Sequence, residues 1–401
     1  MEYDLAITPL LCAYRDGTLS PRTLLTHLRE TCDAAPREIW ISRTGEEQLE
    51  GYLKRLERHS PAELPLYGIP FAVKDNIDVA GLPTSAACPQ YRYHPERSAH
   101  VVELLIEAGA VPIGKTNMDQ FATGLVGVRS PYGVVPNRLA PGYVAGGSSS
   151  GSAAALAYGL CSFALGTDTA GSGRVPAAFQ ELIGVKPSRG ILSCRGVVPA
   201  CRSLDCVSLF TRNLEDAERL LELTAKFDPE DAYSRPLPQG PSLKRPWKFG
   251  IPRREDLEFF GRESYRKAFE RAVRRMEAAG GECVEIDFTP FRTAARMLYE
   301  GPWVFERFAA VGAFLKEHPG AALPVIESII LPKETPHPSE VFRAMYRLQE
   351  CKAAADAEMN KVDLLLTPTA GTIYRIEEVE ADPIRLNSNL GYYTNYMTLL
   401  D

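Results

Sequence analysis

Nine cysteines are spread from Cys12 to Cys351, yet none forms a Cys-x-x-Cys pair and none stands at zinc-ligand spacing from a histidine. That absence excludes the common structural zinc sites and leaves free thiols in a reducing compartment as the simplest account. Excess positive charge is missing as well: 45 Lys and Arg face 51 Asp and Glu, a net charge of −6. Such a balance does not draw a chain to nucleic acid or to an anionic membrane. The basic stretch from Lys244 to Arg275 is interleaved with acids and reads as a solvated helix face. Long apolar runs are lacking too. The uncharged segment Leu139–Thr167 is broken by Pro141 and by a Gly/Ser loop, short of the roughly 20 consecutive apolar residues a span needs. Met1-Glu2-Tyr3-Asp4 does not open a basic region followed by an apolar stretch, so the expected location is the cytoplasm. Histidine is scarce: six occur, none in a recognisable catalytic arrangement, and His94 and His100 flank a polar loop as surface residues. A hydroxyl nucleophile in this chain must therefore find another base.

What is present is a long alternation of strands and helices. The 401 residues, 45% hydrophobic, suffice for one large domain or two ordinary ones. The first sixty residues read as helices, with Ser20-Pro21 as a helix start and Leu24, Leu25 and Leu28 on one face. After a break at Pro61–Pro65, the pattern predicts strand 67–73, helix 99–108 closed by Gly109, strand 110–113, and helix 117–124. Helix 150–159, strand 161–166 and a helix at 213–226 follow. A surface connection at 227–246 leads to strand 247–251, helix 263–279 and strand 282–287. Next come helices 291–299, 302–316 and 339–360 and a strand at 362–367. Short apolar strands alternating with helices predict an α/β fold with helices on both faces of the sheet. We expect one domain over 1–401, with a helical segment at 1–60 and a core motif region at about 61–230. The stop at Leu399-Leu400-Asp401, inside an apolar stretch without a terminating signal, gives the expectation that the C-terminal part of that domain is truncated.

Two motifs match by letter and fail by context. Gly109–Thr116 fits the phosphate-loop pattern G-x-x-x-x-G-K-[ST]. A helix precedes it, however, its middle is the apolar Ala-Val-Pro-Ile, and Pro112 lacks an N–H, so it reads as a helix end followed by a strand. Gly147–Gly151 fits G-x-S-x-G, but that elbow needs a buried apolar strand before it, and Pro141–Ala145 is a poor one.

The chemistry concentrates between Gly146 and Arg174. The loop Gly146–Ser152 (GGSSSGS) precedes a small-residue helix and an apolar strand, and a second loop, Gly166–Arg174 (GTDTAGSGR), follows. Attack on a carbonyl builds an oxyanion, best held by preorganised backbone N–H groups. Thr169, Ala170, Gly171 and Ser172 offer four in succession, and Ala170 and Gly171 let a substrate approach the backbone. A serine also needs a base. Lys74 ends an apolar strand, where burial would depress its pKa. Bringing a lysine from about 10.4 to about 7–8 takes roughly 4 kcal/mol.

Several longer stretches carry a resemblance. They are Tyr67–Gly81 (YGIPFAVKDNIDVAG), Asp119–Gly127 (DQFATGLVG), Arg129–Gly133 (RSPYG), Gly166–Phe179 and Arg195–Cys206 (RGVVPACRSLDC). Together they resemble the amidase signature family, strongly over 67–210 and loosely elsewhere, and within it the allophanate hydrolases. The resemblance implies a single large amidase-signature fold with a mixed central sheet. It implies Ser172 as nucleophile, Ser148 on a cis peptide as proton relay, and Lys74 as neutral base, with Asp168 and Arg174 as scaffold of the loop. Tyr299 and Arg307 fit the family's substrate recognition, with Gly301-Pro302 starting a new helix between them. Backbone around Gly124 to Gly127 would contact substrate, and Arg129 is a second candidate for its anion. The implied reaction releases ammonia from allophanate through an acyl-enzyme and needs no metal or organic cofactor. A homodimer, and functional coupling to urea carboxylase in urea degradation, are further implications. Allophanate hydrolases usually carry a second domain after the amidase domain, which these residues lack. Rival readings are another amidase of the family, the amidotransferase subunit that feeds ammonia to aminoacyl-tRNA, and an inert homologue.

Overall fold

In the computed structural model, which describes residues 3–238, 240, 243, 246–332, 334 and 337–401, six strands form one mixed sheet. They are β1 (Trp40–Arg43), β2 (Pro70–Lys74), β3 (Val111–Thr116), β4 (Phe163–Thr167), β5 (Ile183–Val185) and β6 (Val207–Thr211), in the order β1-β3-β2-β4-β6-β5. The central strand β2 runs parallel to β3 and β4; the outer pairings are antiparallel. The expected mixed sheet is therefore present.

Seven helices accompany it: α1 (Ile7–Arg15), α2 (Pro21–Ala34), α3 (Glu46–Leu56), α4 (His100–Glu107), α5 (Ser150–Ala157), α6 (Arg174–Phe179) and α7 (Leu214–Thr224). The two-residue period of the strands sorts their side chains between two cores. Phe71, Val73, Phe163, Leu165, Val207 and Leu209 pack with Leu10, Leu24, Val102 and Leu220 of α1, α2, α4 and α7. Ala72, Ala164 and Phe210 pack on the other face with Leu53 of α3 and Ala153–Leu156 of α5. Helix α5 has no polar face, and Ser150 through Leu156 are all buried. A helix of small, uncharged residues, with Ser152 bonded to Thr116 and the Leu165 carbonyl, can be enclosed on every side. It forms the floor of the motif region.

The rest of the chain builds a second, three-stranded parallel sheet. Its strands are β7 (Trp247–Pro252), β8 (Gly281–Ile286) and β9 (Leu364–Leu365), in the order β8-β7-β9. Five helices belong to this part, α8 (Glu263–Ala278), α9 (Thr289–Glu300), α10 (Trp303–Glu317), α11 (Pro324–Ile330) and α12 (Pro338–Met359). Of these, α8, α9 and α12 pack with the sheet, whereas α10 and α11 pack through Val311, Leu315 and Ile326 against Ala86, Cys88 and Phe121. Three short helices follow: α13 (Ile376–Ala381), α14 (Arg385–Leu390) and α15 (Met397–Leu400). Phe288, Phe291, Tyr393 and Tyr396 are the aromatic centre of this part.

Some expectations need correction. Residues 117–124 are not a helix. Only Gln120–Ala122 make a 3₁₀ turn, in which Phe121 and Ala122 have φ of 50° and 52°. The cause is Asp119, whose carboxylate takes the N–H groups of Val126, Gly127 and Arg129 and shapes a loop instead. The first sixty residues include strand β1, and the strand expected at 362–367 shortens to β9. Gly109–Thr116 is a glycine at φ 99° followed by β3, with Lys115 buried, as the strand reading requires. No strand leads into Gly147, so the elbow is absent. The connection 227–246 is irregular where described; residues 239, 241, 242, 244 and 245, including the first two of the basic stretch, lie outside the described residues. Helix α8 carries exposed pairs of Arg266 with Glu263 and Glu270, as a solvated face should. Among the described residues no helix is long and apolar enough to cross a membrane.

Candidate active site

Strands β2 and β4 lie side by side, with Val73 opposite Leu165, and their C-terminal ends deliver Lys74 and Thr167 to one place. The loop that opens α5 brings Ser148 to the same place. Lys74 Nζ lies 2.8 Å from Ser148 Oγ and 2.7 Å from Thr167 Oγ1. Lys74 and Ser148 are both fully buried, and the Gly147–Ser148 peptide is cis. Burial lowers the Lys74 pKa to about 7, although Asp119, Asp168 and Asp205 pull it upward. None of these carboxylates hydrogen-bonds the amine. Asn76 Nδ2 donates to Thr167 Oγ1 at 3.3 Å. A neutral amine here keeps one N–H for Thr167 and turns its lone pair to the Ser148 hydroxyl.

Ser172 is buried, and its Oγ approaches the Gly124 carbonyl at 3.4 Å. The two serine loops are tied by the Ser149 N–H, which donates to the Ser172 carbonyl at 3.3 Å. Among the described residues there is no direct bond between the Ser148 and Ser172 hydroxyls. Asp168 organises the second loop. Its Oδ1 accepts from Gly171 N at 2.7 Å, and its Oδ2 accepts from Gly173 N and Arg174 N at 3.1 Å. The Arg174 guanidinium grips both oxygens at 2.8 Å. Burial alone would raise the Asp168 pKa; the Arg174 charge and these donors outweigh it and hold the carboxyl well below its usual range. Asp168 and Arg174 thus sit as scaffold. One of the four N–H groups expected to face an oxyanion, that of Gly171, is already engaged by Asp168. Those of Thr169, Ala170 and Ser172 have no acceptor among the described residues.

The loop over the site depends on close approach. A Cβ on Gly124 or Gly147 would come within 2.5 or 2.1 Å of Asp119 Oδ2. Only glycine lets this loop and the serine loop close around one carboxylate.

Tyr299 and Arg307 fall on different helices, α9 and α10, separated at Gly301-Pro302 as expected, and the structure brings them together. Arg307 Nη2 reaches Tyr299 Oη at 3.4 Å, its guanidinium lies 5.4 Å from the Tyr299 ring centre, and Nη1 meets Thr123 Oγ1 at 3.1 Å. Arg307 is buried, no carboxylate pairs with it among the described residues, and its Nε has no partner there. A buried guanidinium with spare donors suits an anionic ligand. Thr123-Gly124 joins the two ends of the site, since Thr123 touches Arg307 and Gly124 touches Ser172. Arg129, the second candidate, gives its two terminal nitrogens to the carbonyls of Thr123 and Pro383 and so clamps the loop, while its buried Nε, like that of Arg307, has no partner among the described residues. His94 is exposed, and His100 lies 3.8 Å from Asp228, in a cluster apart from these residues.

Sequence reasoning missed Thr167, Asp119, Thr123, Asp205, Thr394 and Thr398. Asp205 accepts from Thr169 Oγ1 at 2.5 Å and from Ala200 N at 2.9 Å, and the two C-terminal threonines bond the same loop. Only Thr167, one residue before Asp168 at a strand end, had a local signal.

The amidase family model matches residues 38–400. The chain belongs to the amidase family. Among amidase relatives, it is 46% identical over 386 residues to the urea amidolyase of Lachancea kluyveri, covering 95% of this chain and 21% of that protein. Identity to the urea amidolyase of Saccharomyces cerevisiae is 44% over 383 residues, again with 94% of this chain and 21% of the relative covered. The crystal structure of the Kluyveromyces lactis allophanate hydrolase superimposes with a TM-score of 0.93 at 43% identity, over 99% of this chain and 66% of that one. The chain therefore spans about a fifth of the urea amidolyases it matches.

Proposed function

We propose that this amidase-family chain hydrolyses the terminal amide of allophanate, releasing ammonia, as part of urea degradation. The observation that carries the reading is the buried Lys74–Ser148 pair beside the Ser172 loop, together with the Thr123-Gly124 segment that touches both Ser172 and Arg307, a guanidinium with no carboxylate partner among the described residues. Neutral Lys74 accepts the Ser148 proton, and Ser148 accepts that of Ser172 as Ser172 Oγ bonds to the amide carbon. The carbonyl becomes an oxyanion, held by the free N–H groups of the 169–172 loop. As the C–N bond breaks, the proton returns along the same relay to the nitrogen, and ammonia leaves. Water then enters by the reverse path and frees an N-carboxylated carbamate. Arg307 and Tyr299 hold the substrate carboxylate, and backbone at Gly124 lines the gap between anion and nucleophile. No step requires a metal or organic cofactor. The likeness to proteins named urea amidolyase supports coupling to a urea carboxylase reaction, and a cytoplasmic homodimer completes the reading.

Ammonia release measured across small amides tests it. Allophanate is expected to be turned over, and Ser172→Ala to lose on the order of 10⁵–10⁶-fold in kcat. Robust turnover by Ser172→Ala would sink the mechanism. Turnover of longer amides with none of allophanate would sink the substrate.

A further inference from the structure

The oxyanion loop is held from a distant part of the chain. Thr398 Oγ1, on α15, donates to the Thr169 carbonyl at 2.5 Å. One turn earlier in the same segment, Thr394 Oγ1 donates to the Ala170 carbonyl at 2.7 Å. Both threonines are buried. The peptides they hold are trans, so each carbonyl and the N–H of the following residue point in opposite directions. Pinning the Thr169 carbonyl toward α15 therefore turns the Ala170 N–H away from α15. Pinning the Ala170 carbonyl does the same for the Gly171 N–H. The two amides differ in their fate. Gly171 N–H ends on Asp168 Oδ1 at 2.7 Å, whereas Ala170 N–H has no acceptor among the described residues although Ala170 is buried. Buried backbone donors left unpaired are rare and costly, and a fixed, unpaired one beside a nucleophile is what an oxyanion requires. The Thr169 side chain is fixed as well, by Asp205, so this peptide is restrained on both sides.

We propose that Thr398 is a positioning residue, which aims the Ala170 N–H at the oxyanion by holding the carbonyl of the same peptide. This rests on the reading of Ser172 as nucleophile, but not on allophanate as substrate. Thr394, acting on a peptide whose N–H is already taken, serves mainly the loop's stability.

A fluorophosphonate probe separates the roles without reference to any amide. Ser172 Oγ forms a bond to phosphorus as the P–F bond breaks, fluoride leaves, and the Ser172 proton passes to Ser148 as Ser148 gives its own to Lys74. The expected labelling rate falls about 10- to 100-fold in Thr398→Val, less than the roughly 10²–10³-fold cost of deleting an oxyanion donor outright. Thr398→Cys, with a weaker donor of similar shape, labels at an intermediate rate, and Thr398→Ser near the wild-type rate. With allophanate, the same variants lower kcat and leave KM near its wild-type value, because an oxyanion donor acts in the transition state. Thr394→Val loses thermal stability as Thr398→Val does but slows labelling less. A labelling rate that ignores the order Val, Cys, Ser at position 398, or that falls equally in Thr394→Val, overturns the proposal. Labelling that follows the order without allophanate turnover supports the positioning role and overturns the substrate reading alone.

Discussion

Lys74 and Lys115 stand on neighbouring parallel strands, both fully buried, and on the proposed mechanism only one of them serves as a base. In the register of β2 and β3, Val73 lies opposite Lys115 and Lys74 opposite Thr116. The lysines are one position out of step, so the period of the strand sends them to opposite faces of the sheet. Burial lowers the pKa of each. Their partners differ. Lys115 Nζ donates to Thr84 Oγ1 at 2.9 Å and to the Pro83 carbonyl at 3.2 Å, and lies 3.6 Å from Asp75 Oδ1. Among the described residues, Lys74 has only hydroxyls within hydrogen-bond reach. Asp75 follows Lys74 in sequence yet turns its carboxylate to Lys115. Desolvation lowers the pKa in both places; at Lys115 a contacting carboxylate opposes it, and on the proposed mechanism the lack of such a contact is what suits Lys74 to accept a proton.

The sharpest break in this comparison comes from removing each amine in turn. Lys74→Met is expected to cost at least about 10³-fold in kcat/KM for ammonia release while the chain stays folded, because a lone hydroxyl relay has no sink for its proton. Lys115→Met strands the buried Asp75 and is expected to cost about 3–5 kcal/mol of stability in denaturant unfolding, with the rate per labelled active site retained. Equal loss of activity in the two variants would erase the distinction. The smallest effect is in pH. Since Lys74 must be neutral, kcat/KM should rise about tenfold per unit below pH 7 and level off above it, in a pH–rate profile of the wild type. Stability moves in the same direction over a different window. The unfolded chain keeps the Lys74 proton up to about 10.5 and the folded chain only to about 7, so the folded state gains stability as pH rises between those values.

Much of this was legible in the sequence, for identifiable reasons. Strands β2 and β4 are buried on both faces and so read as continuous apolar runs, and their ends fixed Lys74 and the serine loops in advance. The break at Gly301-Pro302 likewise announced that α9 and α10 are separate. The 117–124 segment misled because its residues suit a helix until one asks where Asp119 sends its carboxylate, a question only the folded loop answers. Strands β5 and β6 pair with each other across an intervening loop and leave no periodic trace of that pairing. Thr167, Asp205 and Thr398 escaped because single threonines and aspartates are common, and each acts only through a partner brought near by folding. Tyr299 and Arg307 were reached through resemblance; their own neighbourhood carries no short motif.

The bond between Thr398 and Thr169 also has a meaning in time. During synthesis, Lys74, Ser148 and Ser172 all leave the ribosome well before Thr398 does. A nascent chain carrying Lys74, Ser148 and Ser172 still lacks the hydroxyl that holds the Thr169 carbonyl. On the proposed roles, Ser172 is made long before the hydroxyl that would set the peptide beside it, so the order of synthesis separates the nucleophile from its alignment.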